Sequence, residues 1–180
     1  MIASVCVYCG SSSGRGDGYM RAAGELGEAL ARRGLGLVYG GARVGTMGKL
    51  ADTMLKYGGR VVGVIPKALV ERELAHEGLS ELHVAESMHE RKGKMAQLAD
   101  AFIAMPGGLG TLEEVFEILT WSQLDLHANP CAFLNTNGYY DRLMHFLEHS
   151  VSEGFVRRER LNALIVEQVP DPLLERVLSK

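Results

Sequence analysis

Residues 101–114 read AFIAMPGGLGTLEE, an uncharged apolar run followed by a glycine-rich turn and two acidic residues. The apolar run does not alternate with polar residues, which is typical of a strand buried on both faces of a parallel sheet. From residue 111 to residue 126 the apolar positions have helical spacing. The segment therefore predicts a strand, a tight turn and a helix, which is the repeating unit of α/β folds.

The same unit recurs on both sides of this segment. We predict further strands over residues 2–8, 35–39, 61–65, 82–85 and 131–135, with an edge strand over 164–169. We predict helices over residues 19–33, 45–57, 89–99, 139–153 and 171–178, and an irregular helical excursion over 67–81. Because no linker or charge block divides the chain, the sequence predicts one α/β domain over residues 1–180. Its architecture should be a Rossmann-like, doubly wound parallel sheet with helices on both faces.

The composition excludes several classes of protein. Nineteen basic residues against 22 acidic ones give a formal net charge of -3, so no global field would hold a nucleic acid or an anionic membrane surface. The chain has no apolar stretch of membrane-spanning length and no N-terminal signal pattern, so we expect neither insertion nor export. Cys6, Cys9 and Cys131 are too few and too dispersed for a disulfide framework, which favours a reducing cytoplasm.

The glycine-rich turn after the strand has the residues of an anion site. Gly107, Gly108 and Gly110 permit close approach of the backbone, so that N–H groups at the start of the helix can converge on a phosphate. Thr111 adds a hydroxyl donor. A tight turn without a ligand is the alternative. Because three glycines, Pro106 and a threonine coincide at one strand–helix joint, we predict a phosphate site.

A second glycine-rich turn, YGGARVGTMG over residues 39–48, also follows a strand and opens a helix. It could cover a nucleotide from the other side. Neither turn matches the dinucleotide fingerprint, because Glu113 occupies the third glycine position after Gly108 and Gly110. The P-loop pattern also fails, since no Gly-Lys-Ser/Thr follows a glycine at the required spacing. We therefore exclude NAD, FAD and nucleoside triphosphatase activity, and we predict no cofactor.

Two carboxylates and two cations flank the glycine-rich turn. Glu113 and Glu114 point about 100° apart on a helix, so we expect one to face the pocket and the other to serve the helix dipole or a helix contact. A carboxylate beside a phosphate site suits a developing cation such as an oxocarbenium-like sugar. Arg91 and Lys92 open the preceding helix, where positive charge opposes the dipole. We expect an anion nearby, with a solvated cationic face as the alternative.

Two other patterns predict no chemistry. Cys6 and Cys9 have CxxC spacing, but the motif lies at a predicted strand rather than at the start of a helix, and no second cysteine pair completes a zinc site. His145 and His149 are four residues apart on a predicted helix without a third ligand, so we expect them at the surface. We predict no metal site.

The segment PGGLGTLEE over residues 106–114 resembles the PGGxGTxxE signature of the LOG family, the cytokinin riboside 5′-monophosphate phosphoribohydrolases. CGSSSG at 9–14, YGG at 39–41, GVIP at 63–66 and the residues at 88, 89, 91 and 92 agree in order and spacing. The resemblance covers residues 5–154. Ala42 departs from it, standing where relatives often have a third glycine, and it could narrow the pocket entrance. Asp125 stands where a glycine commonly follows Gln-Leu.

The resemblance implies a homodimer that hydrolyses the N-glycosidic bond of a purine nucleoside 5′-monophosphate to free base and ribose 5-phosphate. The implied substrates are AMP and N6-substituted AMP such as isopentenyladenosine monophosphate, with no redox cofactor. Arg91 and Glu114 are implied to be catalytic. Matching positions imply contacts to the nucleotide, including its phosphate, for Glu73, Lys92, Gly108, Leu109, Gly110, Thr111, Leu112, Glu113 and Thr120. The match at Glu73 depends only on its spacing to Arg91.

Two alternative functions follow from the same residues. A non-catalytic nucleotide-binding module would use the same fold and phosphate loop, and it would bind AMP without releasing products. Similar sequences often carry the label lysine decarboxylase. Pyridoxal-dependent decarboxylation requires a Schiff-base lysine and a larger apparatus than 180 residues usually provide. The sequence does not decide between adenine, an isopentenylated adenine and another purine as the base, or between hormone production and nucleotide salvage as the physiological role.

Overall fold

Seven parallel strands form one sheet in the computed structural model, which describes residues 1–70 and 74–180. The strands are β1 (Ser4–Tyr8), β2 (Gly36–Tyr39), β3 (Val61–Pro66), β4 (Glu81–Ala85), β5 (Ala101–Ala104), β6 (Cys131–Leu134) and β7 (Ile165–Glu167). Their order across the sheet is β4-β3-β2-β1-β5-β6-β7. The direction of the order reverses between β1 and β5, which pair from Val5 opposite Ala101 to Tyr8 opposite Ala104. In sheets of this kind a crevice opens at the carboxyl ends of the two strands at the reversal.

Helices cover both faces of the sheet. They are α1 (Gly18–Arg32), α2 (Gly45–Lys56), α3 (Lys67–Val70), α4 (Met88–Gln97), α5 (Leu109–Gln123), α6 (Asp141–Ser152), α7 (Arg158–Asn162) and α8 (Pro170–Leu178). Among the residues that the structure describes, no helix is long and apolar enough to cross a membrane.

The alternation of side chains along each strand creates two hydrophobic cores. Val5 and Val7 of β1 belong to the core on one face, together with buried residues of α1, α2 and α8. Cys6 and Tyr8 belong to the core on the other face, together with buried residues of α4 and α5. Successive strand residues point to opposite faces, so a strand that is apolar at every position needs helices on both sides.

The predicted fold class is confirmed, and most element bounds differ by one or two residues from the prediction. Three expectations need correction. The helix predicted over 111–126 is α5, which begins at Leu109 because Gly108 provides an extended cap, and ends at Gln123 before Asp125 takes a φ of 57°. Helix α7 was not predicted. The excursion over 67–81 is helical only at α3 within the described residues, and Ala75 then forms an antiparallel bridge with Ala42.

Candidate active site

A cleft of about 270 Å³ lies at the carboxyl ends of β1 and β5, where the strand order reverses. Its walls are the serine-rich turn over residues 10–14 and the glycine loop over residues 106–108. Thr46 of α2 and the rings of Tyr19 and Tyr139 complete the lining. The glycine loop therefore lines this cleft, whereas the second glycine-rich turn, over residues 39–48, contributes only Thr46 to it.

The serine-rich turn and the start of α2 are locked together. The Thr46 hydroxyl accepts a hydrogen bond from the Gly10 N–H at 3.0 Å and donates one to the Gly10 carbonyl at 2.9 Å. Gly45 has a φ of +60°, and a Cβ at that position would collide with the backbone of Ser11. Only glycine permits so close an approach in this backbone conformation.

The glycine loop aims the start of α5 at the cleft. Gly108 caps the helix in an extended conformation, and the N–H groups of the first helical turn have no partners within the helix. The positive end of the helix dipole and these free donors together suit an anion. A Cβ at Gly107 would collide with Thr111, so this turn is closely packed.

Arg91 and Glu114 form a buried ion pair beside the glycine loop. Nη1 of Arg91 donates to Oε1 of Glu114 at 2.5 Å, and both residues are only 8% exposed. Nε of Arg91 donates to the carbonyl of Val64 at the end of β3, at 3.0 Å. Burial raises the pKa of Glu114, and the guanidinium of Arg91 opposes this rise without cancelling it. Glu114 lies four residues after Gly110, so these two residues project from the same face of α5. Neither Arg91 nor Glu114 is among the residues that line the cleft.

Lys92 forms a second group of charges with two other carboxylates of α5. Its Nζ donates to Glu113 and to Oε2 of Glu117, the latter at 3.1 Å. Burial acts to lower the pKa of Lys92, but the hydrogen bonds to Glu113 and Glu117 outweigh it, so the pKa is raised. The protein thus supplies its own anions to the cationic pair that opens α4. Glu113 and Glu114 point apart, since Glu114 is buried whereas Glu113 is exposed and pairs with Lys92. Neither of them lines the cleft, so the expectation that one faces the pocket stays a prediction.

The remaining predicted site residues lie in different places. Leu109, Gly110, Thr111 and Leu112 form the first turn of α5, and Leu109 is 87% exposed. Glu73 lies outside the described residues. Thr120 is separated from the cleft, because it lies about 10 Å further along the helix than Glu113. Its hydroxyl donates to the Phe116 carbonyl at 2.7 Å.

Thr120 instead lines a larger cavity, of about 380 Å³, beside the C-terminal half of α5. Of the other predicted site residues that the structure describes, none lines this cavity, and its lining includes apolar side chains such as Leu147, Leu161 and Leu164. Size alone would favour it as the functional site. The smaller cleft is the stronger candidate because the glycine loop and the serine-rich turn converge there.

Ala42 does not line the cleft. It is buried and bridges to Ala75, and the Arg43 N–H donates to the carbonyl of Leu74 at 3.0 Å. The expectation that Ala42 narrows the pocket entrance is therefore wrong, because the segment over residues 74–76 covers it.

Cys6 lies on β1 and Cys131 on β6, whereas Cys9 is the first residue after β1. All three cysteines are free and buried, and burial raises the pKa of Cys9 to about 12. His145 and His149 are exposed. Within residues 1–70 and 74–180, no three side chains of the metal-binding types are grouped to hold an ion.

Tyr19 and Tyr139 were missed by sequence reasoning, although both line the cleft. Tyr139 was assigned to a helix over 139–153, whereas α6 begins at Asp141. The Asn137-Gly138 pair before it was the available signal, because this dipeptide is typical of a turn.

Comparison with known proteins gives both family and fold. The family model described as possible lysine decarboxylase matches residues 47–177. Two solved structures share the fold at about one fifth identity, and at that level they bear on the fold alone. The molybdenum cofactor binding protein of Rippkaea orientalis has a TM-score of 0.72 and 21% identity over 98% of this chain and 95% of that one. The molybdenum cofactor carrier protein of Chlamydomonas reinhardtii has a TM-score of 0.72 and 19% identity over 98% of each chain.

Curated relatives are much more similar in sequence. A protein of Rhodococcoides fascians named cytokinin riboside 5′-monophosphate phosphoribohydrolase is 54% identical over 91% of this chain and 83% of its own length. The rice protein named cytokinin riboside 5′-monophosphate phosphoribohydrolase LOG is 48% identical over 89% of this chain and 66% of its own length. With the family model covering most of the chain and relatives identical at about half of the aligned positions, this chain belongs to the LOG family.

Proposed function

We propose that this protein hydrolyses the N-glycosidic bond of purine nucleoside 5′-monophosphates to free base and ribose 5-phosphate. The proposed substrates are AMP and N6-substituted AMP such as isopentenyladenosine monophosphate. The observation that carries the proposal is the buried Arg91–Glu114 pair beside a glycine loop that opens a helix. The names of the relatives, which specify a riboside 5′-monophosphate and its hydrolysis, support the same reaction.

In the proposed mechanism, different residues bind the phosphate and stabilise the charge that develops on the sugar. The N–H groups over residues 108–111 and the Thr111 hydroxyl bind the 5′-phosphate and thereby position the ribose. Glu114, as a carboxylate, stabilises the positive charge that develops on the sugar as the C1′–N bond breaks. Arg91 holds that carboxylate in place. Water adds its hydroxyl to C1′, and the departing purine ends with the remaining proton.

Other residues are proposed to contact the nucleotide without taking part in bond breaking. Lys92, Leu112 and Glu113 flank the loop, and we propose Glu73 on the family resemblance alone. Thr120 is likewise proposed on the family resemblance alone, because it lines the other cavity, two turns further along α5 than Glu113.

The deciding experiment compares the wild-type protein with Glu114→Gln. Each is incubated with AMP and with isopentenyladenosine monophosphate, and chromatography measures free base and ribose 5-phosphate. We expect the wild type to release both products and the variant to lose about 100-fold or more in kcat, because the amide cannot carry the stabilising charge. An unchanged circular dichroism spectrum controls for folding. Near-normal turnover by the variant would remove Glu114 from the mechanism.

The cleft also fits the alternative of a non-catalytic nucleotide-binding module, because binding a nucleotide there requires no bond to be broken. It predicts that the wild type binds AMP, measured by calorimetry, but releases no base from either nucleotide. The same assay therefore separates the two functions.

Lysine decarboxylation, which the family model's description suggests, is opposed by the state of Lys92. Hydrogen bonds to Glu113 and Glu117 raise its pKa and keep the amine charged, whereas a Schiff-base lysine must react as the neutral amine. We expect no aldimine absorbance after incubation with pyridoxal phosphate.

We further propose that residues 1–180 act as one domain and assemble as a homodimer. Leu109 on α5 and Leu124 and Leu126 just beyond its end are 87%, 62% and 67% exposed, and apolar side chains so exposed are common at interfaces between copies. Light scattering after gel filtration should give twice the chain mass, and Leu124→Asp with Leu126→Asp should give the monomer mass. A monomeric wild type would contradict this assembly.

We also propose a cytoplasmic location and no nucleic-acid or membrane partner. The free, buried cysteines support a reducing compartment, and the net charge of -3 gives no attraction for polyanions.

A further inference from the structure

Two adjacent tyrosines in the turn after β6 bind the main chain between β5 and α5, one at the glycine loop and one at the residue before it. The Tyr139 hydroxyl donates to the Gly107 carbonyl at 2.6 Å, and the Tyr140 hydroxyl donates to the Met105 carbonyl at 2.6 Å. Tyr140 is 1% exposed, whereas Tyr139 is 44% exposed and lines the cleft. The two residues make the same kind of bond, but of the pair Tyr139 alone borders the cleft.

The bond made by Tyr139 controls the orientation of one peptide group. A trans peptide is planar, so the Gly107 carbonyl and the Gly108 N–H point in opposite directions. With glycine on both sides, this peptide can rotate at little steric cost. Rotation would turn the carbonyl oxygen toward the space that the N–H group faces, where it would repel an anion. Holding the carbonyl on Tyr139 therefore keeps the Gly108 N–H directed as a donor.

Tyr139 is itself held in place by neighbouring rings. Its ring meets Tyr19 edge-on, with centroids 5.8 Å apart, and Tyr140 edge-on at 5.0 Å. The Tyr140 N–H is fixed by the side chain of Asn135 at 2.7 Å. Because the one hydroxyl proton of Tyr139 is used on the Gly107 carbonyl, none remains to donate to a phosphate. Any effect of the hydroxyl on an anion must act through the loop.

We propose that Tyr139 is a positioning residue for the 5′-phosphate of the substrate, and this inference rests on the proposed function. By fixing the peptide between Gly107 and Gly108, it pre-organises the donors that bind the phosphate. Loss of its hydroxyl weakens binding of the phosphate and leaves cleavage of the bound nucleotide unchanged.

The test compares Tyr139→Phe with the matched control Tyr140→Phe, since each removes one hydroxyl and one hydrogen bond to the main chain between β5 and α5. For Tyr139→Phe we expect the KM for AMP to rise about 5- to 10-fold, while kcat stays within twofold of wild type. Inhibition by ribose 5-phosphate should weaken by the same factor, and inhibition by free adenine should not change. Tyr140→Phe should lower the melting temperature and leave the KM within twofold.

The outcomes that overturn the inference are distinct. One is an unchanged KM in Tyr139→Phe. Another is equal weakening of ribose 5-phosphate and adenine inhibition, and a third is a parallel rise in KM in both variants, as general destabilisation would cause. If the wild type releases no base from AMP, the proposed function fails, and calorimetric binding of AMP replaces KM. Tyr139→Phe must then still bind AMP more weakly than both wild type and Tyr140→Phe.

Discussion

Arg91 contacts three separate elements with a single guanidinium. It donates to the Val64 carbonyl of β3 and to Glu114 of α5, and its Nη2 lies against Gly40 at the end of β2. Both charged groups are almost entirely buried, so removing either one leaves the other without compensation. The ionisation of Glu114 therefore depends on Arg91.

The first prediction concerns the pH dependence of turnover. Burial raises the pKa of Glu114 above its ordinary value of 4.5, and the mechanism needs the carboxylate, so kcat should fall with acid at a pH above that value. Arg91→Met removes the charge that opposes the rise in the pKa of Glu114. The acidic limb of the profile of kcat against pH should therefore move to higher pH, and kcat should fall. Lys92→Met should move it less, because Lys92 has a weaker influence on Glu114. Measuring kcat against pH checks this, and an unmoved limb in Arg91→Met would contradict it.

The contribution of Glu114 to stability should change with pH in the direction opposite to turnover. A raised pKa means that the folded protein binds the Glu114 proton more tightly than the unfolded chain does. The contribution of this proton to the free energy of unfolding is complete below the ordinary pKa and is lost as pH rises through the folded pKa.

The second prediction uses Gly40 to displace Arg91 without changing a charge. A Cβ at Gly40 would collide with Nη2 of Arg91 and lie 3.0 Å from the Met47 sulfur, while the φ of Gly40 is not positive. Gly40→Ala should therefore shift the guanidinium, weaken its contact with Glu114 and lower kcat at least about 10-fold, because small displacements of reacting groups are costly.

Gly93→Ala is the matched control. No atom lies within 4 Å of a Cβ built there, and the residue lies inside α4 next to Lys92. It should stabilise the protein by about 0.5–1 kcal/mol and preserve kcat. Equal activity in the two alanine variants would show that Arg91 needs no fixed position.

At the scale of the element, α5 connects the glycine loop to the rest of the core, and its two ends are built differently. Its first turn has no side-chain cap, which leaves N–H groups free for a ligand. Its last turn is followed by Asp125, a non-glycine residue with a φ of 57°. The strain at this end lies far from the cleft, so it can be altered without touching the site.

The third prediction is that Asp125→Gly stabilises the protein, because glycine adopts this backbone conformation without a Cβ clash. The variant loses an ion pair to Arg160 at 3.0 Å, but Asp125 is 83% exposed and such pairs contribute little. We expect a net gain of about 0.5 kcal/mol in the free energy of unfolding. Asp125→Ala should instead lose about 1 kcal/mol, since it keeps the strain and loses the pair. Urea denaturation checks both, and a gain in the alanine variant would contradict the argument.

At the scale of the whole molecule, the two halves of the sheet are joined where β1 meets β5. The carboxyl ends of these strands carry the cleft, and their amino ends are tied by Asp100. Its carboxylate accepts the N–H groups of Ala3 and Ser4, both at 2.9 Å. The hydrogen bond from the Ala3 N–H is the main cause that lowers the pKa of Asp100, with further bonds from Ser4.

The fourth prediction follows from this tie. Asp100→Ala should lower the free energy of unfolding at pH 7 by about 2 kcal/mol, because hydrogen bonds to a charged acceptor are lost. A depressed pKa gives stability that is present above the ordinary value of 3.8 and is lost as pH falls through the folded value. Wild type and variant should therefore converge in urea denaturation at low pH. A difference independent of pH would assign the effect to packing, and kcat at pH 7 should be unaffected.

The local patterns of the site were predictable from the sequence, whereas the contacts between distant residues were not. The glycine loop, the paired glutamates and the Arg91-Lys92 dipeptide are local patterns, so their residue types and spacing were visible. Which cation meets which carboxylate was not visible, because Arg91 and Glu114 are 23 residues apart. The contact of Tyr139 with Gly107 spans 32 residues and joins two different loops.

The α/β class, nearly all the strands and helices, and the glycine loop as the candidate site were predictable from local patterns, because periodicity and turn chemistry act between neighbours in the chain. The tertiary structure alone decided that Glu114 is buried on Arg91 while Glu113 pairs with Lys92. It also decided that Tyr139 braces the loop and that Thr120 lies apart from the cleft. These contacts exist only once the strand order reverses between β1 and β5 and brings distant turns to one edge of the sheet.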